Sequence, residues 1–279
     1  MRVALAQICS GPEVAANLAL VRKRAAEAAD KGARLVLFPE ATMRAFGHNL
    51  TSVAEPLDGP FATAIAELAA ELDITIALGM FTPSRASGDR VRNTLLVATP
   101  PGPNATDASG PGQGRLRAYD KIHLYDAFGF AESDTVEAGD DEVRVEVDGV
   151  LVGLTICYDI RFPQLFINHA RAGARLILVP ASWGAGPGKR EQWELLARAR
   201  ALDSTSWILA CGQADPQASG VDAKPGAPTG IGYSMVVSPT GTVVAAAGAG
   251  PELVLADLVP GATDRARAAI PVLDNARLS

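Results

Sequence analysis

Apolar runs long enough for a single β-strand alternate along this chain with longer stretches of helical periodicity, and this alternation restricts the fold more than any other feature. Strand-length runs near 2–9, 34–39 and 74–81 are interleaved with helical patterns at 13–31 and 60–72. The order is that of an α/β protein. The middle changes character: 91–99 and 115–119 read as consecutive strands, separated by a Gly/Pro/Asn/Ser-rich stretch, 100–114, that reads as an exposed loop and not a domain boundary. Alternation returns after strands near 143–147 and 150–156, with a helix, strand 175–180, helix 189–203 and strand 206–212. Segment 214–230, rich in Pro, Gly, Ala and Asp, has the length of a surface lid or rim. Three strands near 232–238, 242–247 and 252–257 are expected to close the chain, with Pro239-Thr240-Gly241 as the first turn. No internal repeat is evident.

Composition narrows the class. With 279 residues, 48% of them hydrophobic and 20% charged, the chain can bury a large core without disulfides or metal, and one domain is the expected count. Cys9, Cys157 and Cys211 are scattered, odd in number and free of CxxC spacing, which argues against a disulfide framework or a zinc site and fits a reducing interior. The start Met1-Arg2-Val3-Ala4-Leu5-Ala6-Gln7 is too short an apolar run for a signal peptide, and no later run reaches membrane-spanning length. The expectation is a soluble cytoplasmic protein with no membrane partner. A net charge of −6 and the lack of a basic stripe interleaved with aromatics argue against nucleic acid.

Three strand ends carry reactive or charged groups. Cys157 ends the run Gly149-Val150-Leu151-Val152-Gly153-Leu154-Thr155-Ile156 and opens the turn Tyr158-Asp159-Ile160-Arg161-Phe162-Pro163, beyond which a helical pattern begins. Helix-start amides point into the space above such an elbow, lowering the cost of a thiolate and of an oxyanion made by its attack. A lone cysteine at a strand end is ordinarily a small buried hydrophobe, which is how Cys9 and Cys211, inside apolar runs, are read. Cys157 has companions. Glu40 follows the strand Arg34-Leu35-Val36-Leu37-Phe38-Pro39, and Lys121 stands where Leu116-Arg117-Ala118-Tyr119-Asp120 runs out. Ligands of α/β sheets sit beyond the carboxyl ends of strands, so the three groups can converge. The plainer reading of Glu40 and Lys121 is a strand-end ion pair.

In that order, the segments around Glu40, Lys121 and Cys157 resemble the Glu-Lys-Cys signature of the nitrilase, or carbon-nitrogen hydrolase, superfamily. The resemblance begins at Arg2-Val3-Ala4-Leu5-Ala6-Gln7, continues through Arg92-Asn93-Thr94 and the Cys157 elbow, and includes Leu196-Ala197-Arg198-Ala199-Arg200-Ala201. Within the superfamily, Lys121-Ile122-His123-Leu124 and Cys157-Tyr158-Asp159-Ile160-Arg161-Phe162-Pro163 are most similar to the branch of omega-amidases and deaminated-glutathione amidases, which hydrolyse amides. The resemblance implies one carbon-nitrogen hydrolase domain over 1–279, folded as a four-layer α-β-β-α sandwich of two mixed sheets with helices on both outer faces. Periodicity alone does not select that sandwich. A homodimer or higher homo-oligomer is also implied.

The implied activity uses no cofactor or metal: a small amide is hydrolysed to acid and ammonia through a thioester on Cys157. Glu40 would serve as general base toward the thiol, then as acid toward departing ammonia, then as base toward water. Lys121 and the backbone amide of Tyr158 would face the oxyanion. Glu132 matches a second glutamate that the family places beside the lysine, with a surface loop as the alternative reading. Asn93 matches a position near the site and reads as structural.

Arg161, four residues past Cys157, is placed either to clamp a substrate carboxylate through two parallel hydrogen bonds or to form a structural salt bridge to Asp159 or a helix carboxylate. Tyr119 and His123 flank Lys121 and either shape the pocket or pack; Trp183 is a pocket candidate. His48 and His169 read as solvated or core residues. Three positions depart from the omega-amidase pattern: the loop from Trp183 to Trp193, Gln164 in place of the usual glutamate, and Tyr233 in place of the histidine before Ser234. Gly184 to Lys189 fails as a phosphate loop in both its glycine spacing and the Arg190 that follows, so the glycines read as a pocket rim, and Lys189 and Arg190 as a solvated helix start with attraction of an acidic substrate as the alternative. Readings kept open beside the amidase are hydrolysis of an N-carbamoyl group or nitrile by the same trio, a thiol-protease arrangement of Cys157 with His123 or His169, and a non-catalytic thiol sensor or binding protein.

Overall fold

The computed structural model describes residues 1–86, 88–101, 115–127, 129–222 and 226–277. The first part of the chain runs β1 (Arg2–Gln7), α1 (Val14–Asp30), β2 (Leu35–Leu37), α2 (Pro60–Leu72), β3 (Thr75–Pro83), β4 (Val91–Thr99) and β5 (Arg115–Asp120). A short ribbon of β6 (Asp126–Ala127) and β7 (Phe130–Ala131) follows. Then come β8 (Arg144–Val147), β9 (Val150–Leu154), α3 (Pro163–Arg171), β10 (Leu176–Ala181), α4 (Lys189–Ser204), β11 (Trp207–Gly212), β12 (Met235–Val237), β13 (Val243–Ala246), β14 (Glu252–Asp257), α5 (Ala262–Ala269) and α6 (Val272–Asn275).

Two six-stranded sheets result, ordered β14-β1-β2-β3-β4-β5 and β13-β12-β11-β10-β9-β8. In each, three adjacent strands are parallel, β1-β2-β3 in one and β9-β10-β11 in the other, and the flanking strands are antiparallel. The two halves thus repeat one topology that no repeat in sequence announces. Helices α1 and α2 pack on the first sheet and α3 and α4 on the second, with β1 and β11 meeting between the sheets, which makes the four-layer α-β-β-α sandwich. Val3, Leu5, Leu35 and Leu37 join the core shared with the second sheet, whereas Ala4, Ala6 and Val36 pack with Val21, Ala25 and Ile65 of α1 and α2. Strands covered on both faces are apolar at successive positions, the pattern seen in Leu35-Val36-Leu37.

Two expectations need correction. The last three strands form but do not close the chain: the helices α5 and α6 follow β14, which pairs with β1, from Arg2↔Asp257 to Gln7↔Glu252. A strand bounded by turns carries no label for the sheet it will join, because either sheet can satisfy its backbone. Cys9 lies beyond the end of β1 and is half-buried, not in a strand core. Cys211 is a core residue, its thiol donating to the Leu37 carbonyl across the sheets at 3.2 Å. Of the expected loop 100–114, residues 102–114 lie outside the described residues, as do 223–225 of the segment 214–230. Among the described residues, no helix is long and apolar enough to cross a membrane.

The turns that start helices follow ordinary capping chemistry. Pro60 and Pro163 occupy the first positions of α2 and α3, where a missing N–H costs nothing. Glu55 Oε1 accepts from the Phe61 and Ala62 amides and caps α2.

His169 of α3 is buried under β9. Its Nε2 lies 3.1 Å from the Leu154 carbonyl, and a Cβ on Gly153 would come within 2.6 Å of its ring. Burial pulls its pKa down to about 4. A histidine depressed in the folded state charges more readily in the unfolded chain, so its contribution is complete above the unfolded value and is lost as pH falls through the window from about 6.5 to about 4. The full loss is about 3 kcal/mol. His169→Gln, which keeps a donor toward Leu154 and does not titrate, is expected to flatten the acid limb of Tm against pH in that window. An unchanged acid limb would remove His169 as its source.

Candidate active site

Glu40, Cys157 and Ser182 each follow the carboxyl end of a parallel strand, β2, β9 and β10 respectively, and Lys121 follows β5. All four line one cavity of about 390 Å³ including its mouth, with Glu132, Phe46, Tyr125, Phe130, Tyr158, Arg161, Trp183, Gly184, Lys189 and Pro228. Three of these strand ends, those of Glu40, Lys121 and Cys157, are the ones the sequence singled out.

On the cavity floor, Lys121 Nζ donates to Glu40 Oε1 at 2.9 Å and to Glu132 Oε2 and Oε1 at 2.8 and 3.1 Å. All three side chains are at most 2% exposed. Asn93 Nδ2 bridges the same two carboxylates, 2.8 Å from Glu40 and 2.9 Å from Glu132. Backbone amides complete the set: Ser182 N–H donates to Glu40 Oε2 at 2.7 Å and Tyr125 N–H to Glu132 Oε2 at 2.8 Å. One cation against two carboxylates leaves a net negative charge in a dry site, which is tolerable because every carboxylate oxygen has a donor. Burial alone would pull the Lys121 ammonium down, but Glu132 and Glu40 outweigh it and hold the group well above the usual lysine range. The surface-loop reading of Glu132 is therefore excluded, and Asn93 does more than pack.

Glu40 is held from behind. Its carbonyl accepts from Gln213 Nε2 at 2.9 Å, and Gln213 also exchanges hydrogen bonds with Ser10. Gly79 of β3 abuts it so closely that a Cβ there would fall 2.5 Å from Ala41 N and 2.8 Å from Glu40 Cα. Ala41 adopts a left-handed φ of 57° to turn the chain away.

Cys157 is also left-handed, at φ 46°, a conformation costing about 1–3 kcal/mol for a residue with a Cβ unless its surroundings enforce it. Enforcement comes from Asp159, whose Oδ2 accepts the Ile156 amide at 2.8 Å while its own amide donates to the Ile156 carbonyl at 3.0 Å. Burial pushes the Cys157 thiol well above the ordinary range; the Glu40 carboxylate raises it further and Lys121 opposes it, so the resting sulfur is a neutral thiol. Tyr158, the second residue of the one-turn 3₁₀ helix Cys157–Arg161, presents its amide at a helix start.

Of the two readings of Tyr119, pocket wall or packing residue, the structure shows the second, which corrects its place among the substrate-binding candidates. It is fully buried, is not among the cavity residues, and its hydroxyl donates to Asp159 Oδ2 at 2.7 Å; burial and that carboxylate hold the phenol well above its usual range, so it remains a donor. Nor does Arg161 pair with Asp159: its guanidinium lines the cavity, donates to Gln192 Oε1 at 2.8 Å and stands over the Trp183 ring at 5.2 Å. Trp183 is a cavity residue as expected, its indole N–H donating to the Lys189 carbonyl at 2.9 Å. Lys189 is a cavity residue too, and not only a solvated helix start: its ammonium lies 5.7 Å from the Tyr125 ring centre, and partial burial and neighbouring Arg161 both pull it down. Arg190 lies over Tyr233 at 3.9 Å, and neither lines this cavity. Gln164 is on the surface, bonded to Asn168.

Neither candidate histidine is a base for Cys157. His123 Nδ1 meets Asp159 Oδ1 at 2.7 Å with its ring stacked 3.7 Å from Phe162, and His169 is the core residue described above. Tyr125, Phe46, Phe130, Ser182 and Pro228 escaped the sequence reading. The strand-end rule that found Glu40 and Cys157 points equally to Ser182, which follows β10; Phe130 sits in the two-residue strand β7 and the others on loops whose paths no local pattern encodes.

Comparison with known proteins agrees with this geometry. The carbon-nitrogen hydrolase family profile matches residues 2–268. Hydrolase Rv0480c of Mycobacterium tuberculosis is 57% identical over 278 residues, covering 99% of this chain and 95% of that protein. The deaminated glutathione amidase of Escherichia coli O157:H7 is 33% identical over 258 residues, covering 91% and 88%. Among solved structures, Saccharomyces cerevisiae Nit3, described as a member of branch 10 of the nitrilase superfamily, superposes with a TM-score of 0.82 at 26% identity, covering 100% of this chain and 97% of that one. With its Glu-Lys-Cys cluster at the strand ends of an α-β-β-α sandwich, this chain belongs to the carbon-nitrogen hydrolase (nitrilase) superfamily and is an enzyme that cleaves carbon-nitrogen bonds.

Proposed function

We propose that this protein, as one hydrolase domain over 1–279, hydrolyses a small carboxylate-bearing amide to acid and ammonia, with Cys157 as nucleophile, Glu40 as acid-base group and Lys121 as oxyanion partner. The observation that carries this reading is the shared cavity lined by a buried thiol, a carboxylate and the ammonium bonded to that carboxylate. Relatives named amidases support the choice of amides over N-carbamoyl compounds and nitriles.

The chemistry follows from the resting protonation. The Cys157 proton passes to Glu40 as Sγ bonds to the amide carbon, and the carbonyl oxygen gains the electron pair. That oxyanion lies against the Lys121 ammonium and the Tyr158 amide; one such donor is worth roughly 3–4 kcal/mol. Collapse breaks the carbon-nitrogen bond as Glu40 protonates the nitrogen, and ammonia leaves behind a thioester. Water then gives a proton to Glu40 and attacks the thioester carbon, and the departing sulfur recovers that proton. Glu132 and Asn93 hold Lys121 and Glu40 in register throughout.

Ammonia release from small amides, omega-amides of dicarboxylic acids, carbamoyl compounds and nitriles tests the assignment. Wild type is expected to act on amides, Cys157→Ala to be inert, and Glu40→Gln to be slower by about 10²–10⁴-fold. Equal release by wild type and Cys157→Ala would overturn the mechanism. Wild-type silence across the panel would favour a thiol sensor.

Specificity rests with the mouth, where Arg161 and Lys189 place two cations beside Tyr125 and Trp183. A carboxylate distal to the amide satisfies both. Arg161→Gln and Lys189→Gln are each expected to lower kcat/KM for a carboxylate-bearing amide by about 10–100-fold, chiefly through KM, with little change for a neutral amide. Equal losses on both substrates would overturn the carboxylate assignment.

A homodimer in the cytoplasm completes the reading. Three free thiols support a reducing compartment. Leu195 and Leu202, seven residues apart on α4, are 68% and 50% exposed and offer an apolar stripe for a second copy. Light scattering is expected to give twice the 28.9 kDa chain mass, and Leu195→Lys with Leu202→Lys to give the monomer.

A further inference from the structure

The Asp159 carboxylate is fully buried, yet it touches none of the reacting groups and does not line the cavity. It accepts four hydrogen bonds. Oδ2 takes the Tyr119 hydroxyl at 2.7 Å and the Ile156 amide at 2.8 Å; Oδ1 takes the His123 amide at 3.0 Å and faces His123 Nδ1 at 2.7 Å. The donors come from two places. Tyr119 and His123 stand two residues before and two residues after Lys121, the first near the end of β5 of the first sheet and the second on the chain leaving it; Ile156 immediately precedes Cys157, on the chain leaving β9 of the second. One carboxylate therefore binds both flanks of the lysine to the residue that presents the thiol.

We infer that Asp159 is a positioning residue that fixes the separation of Lys121 and Cys157 by tying the two sheets together behind the nucleophile elbow. Two further observations support the assignment. Cys157 is held at φ 46°, and the Asp159 bonds to Ile156 close the turn that imposes this angle. The Tyr119 hydroxyl also accepts the Ile122 amide at 3.3 Å, so the tie reaches the residue next to Lys121. His123 is seated for this purpose: with Nδ1 on Asp159 and its face on Phe162, its ring is braced from both sides. A buried carboxylate whose four acceptor positions are filled has one low-energy placement, and the elements supplying its donors share it.

The inference rests on the amidase reading for its kinetic consequence but not for its chemical test. Asp159→Asn removes the charge and sets an amide N–H₂ against donors, and it risks the fold, so Tyr119→Phe, His123→Ala and His123→Asn carry the experiment. Tyr119→Phe and His123→Ala each delete one donor; His123→Asn keeps a side-chain N–H near the Nδ1 position. The first readout is the rate at which iodoacetamide alkylates Cys157, followed by peptide mass mapping so that half-buried Cys9 is counted separately. The second is the division of effect between kcat and KM on whichever amide wild type hydrolyses.

Tyr119→Phe and His123→Ala are expected to slow Cys157 alkylation and to lower kcat by about tenfold with KM within about twofold. His123→Asn is expected to recover most of the loss. Alkylation and kcat at wild-type levels in both donor deletions would overturn the inference. Losses confined to Tm, or equal in His123→Asn and His123→Ala, would overturn it as well, since they would mark a packing role. Wild type that alkylates normally but hydrolyses nothing would count against the amidase reading alone, and the alkylation rates would still decide the role of Asp159.

Discussion

The ammonium of Lys121, buried between Glu40 and Glu132, is the interaction on which the site depends. A lysine shut away from water is unfavourable unless paired, and two carboxylates shut away together repel unless a cation separates them. Each group thus makes the others tolerable. Removing the lysine would leave two uncompensated carboxylates, a change that costs about 3–5 kcal/mol in comparable buried pairs. The cluster is also pre-arranged for chemistry, because the charge that an attacked carbonyl develops is met by a group already in place and already desolvated.

That arrangement requires two sheets. Glu40, Lys121 and Asn93 hang from the first, Cys157 and Ser182 from the second, and the contacts between them run across the sandwich: the Ser182 amide to Glu40, the Gln213 side chain to the Glu40 carbonyl, and Asp159 to Tyr119 and His123. The return of β14 to β1 brings the C-terminal strand back onto the first, so the two halves of the chain are interlocked and not merely stacked. A rigid frame suits the proposed reaction, in which one carboxylate serves thiol, leaving nitrogen and water in turn.

Much of the site was legible because its chemistry is local to strand ends. An apolar run followed at once by Glu40, by Cys157 in a turn, or by Lys121 marks where a sheet stops and a ligand can begin. The same reasoning overlooked Ser182, since its contribution is a backbone amide that any residue supplies. It left Tyr119 open, because a tyrosine beside Lys121 looks the same in sequence whether its hydroxyl turns toward the pocket or toward a buried aspartate two residues past Cys157. Lys189 read as a helix-start lysine exposed to water, and only the packing of α4 against the cavity mouth turned it inward.

What the sequence by itself determined is the set of elements and the reactive ends of several of them: hydrophobic periodicity separates strands from helices, and turn residues place the boundaries, both through interactions a few residues long. Tertiary structure decided which ends meet. Pairing β14 with β1, closing two separate sheets, and seating one lysine between carboxylates 81 residues before it and 11 residues after it are long-range choices. They are made by burial of both sheet faces and by the need of each buried charge for a partner, and no short window of sequence contains Glu40 with Lys121 or β14 with β1.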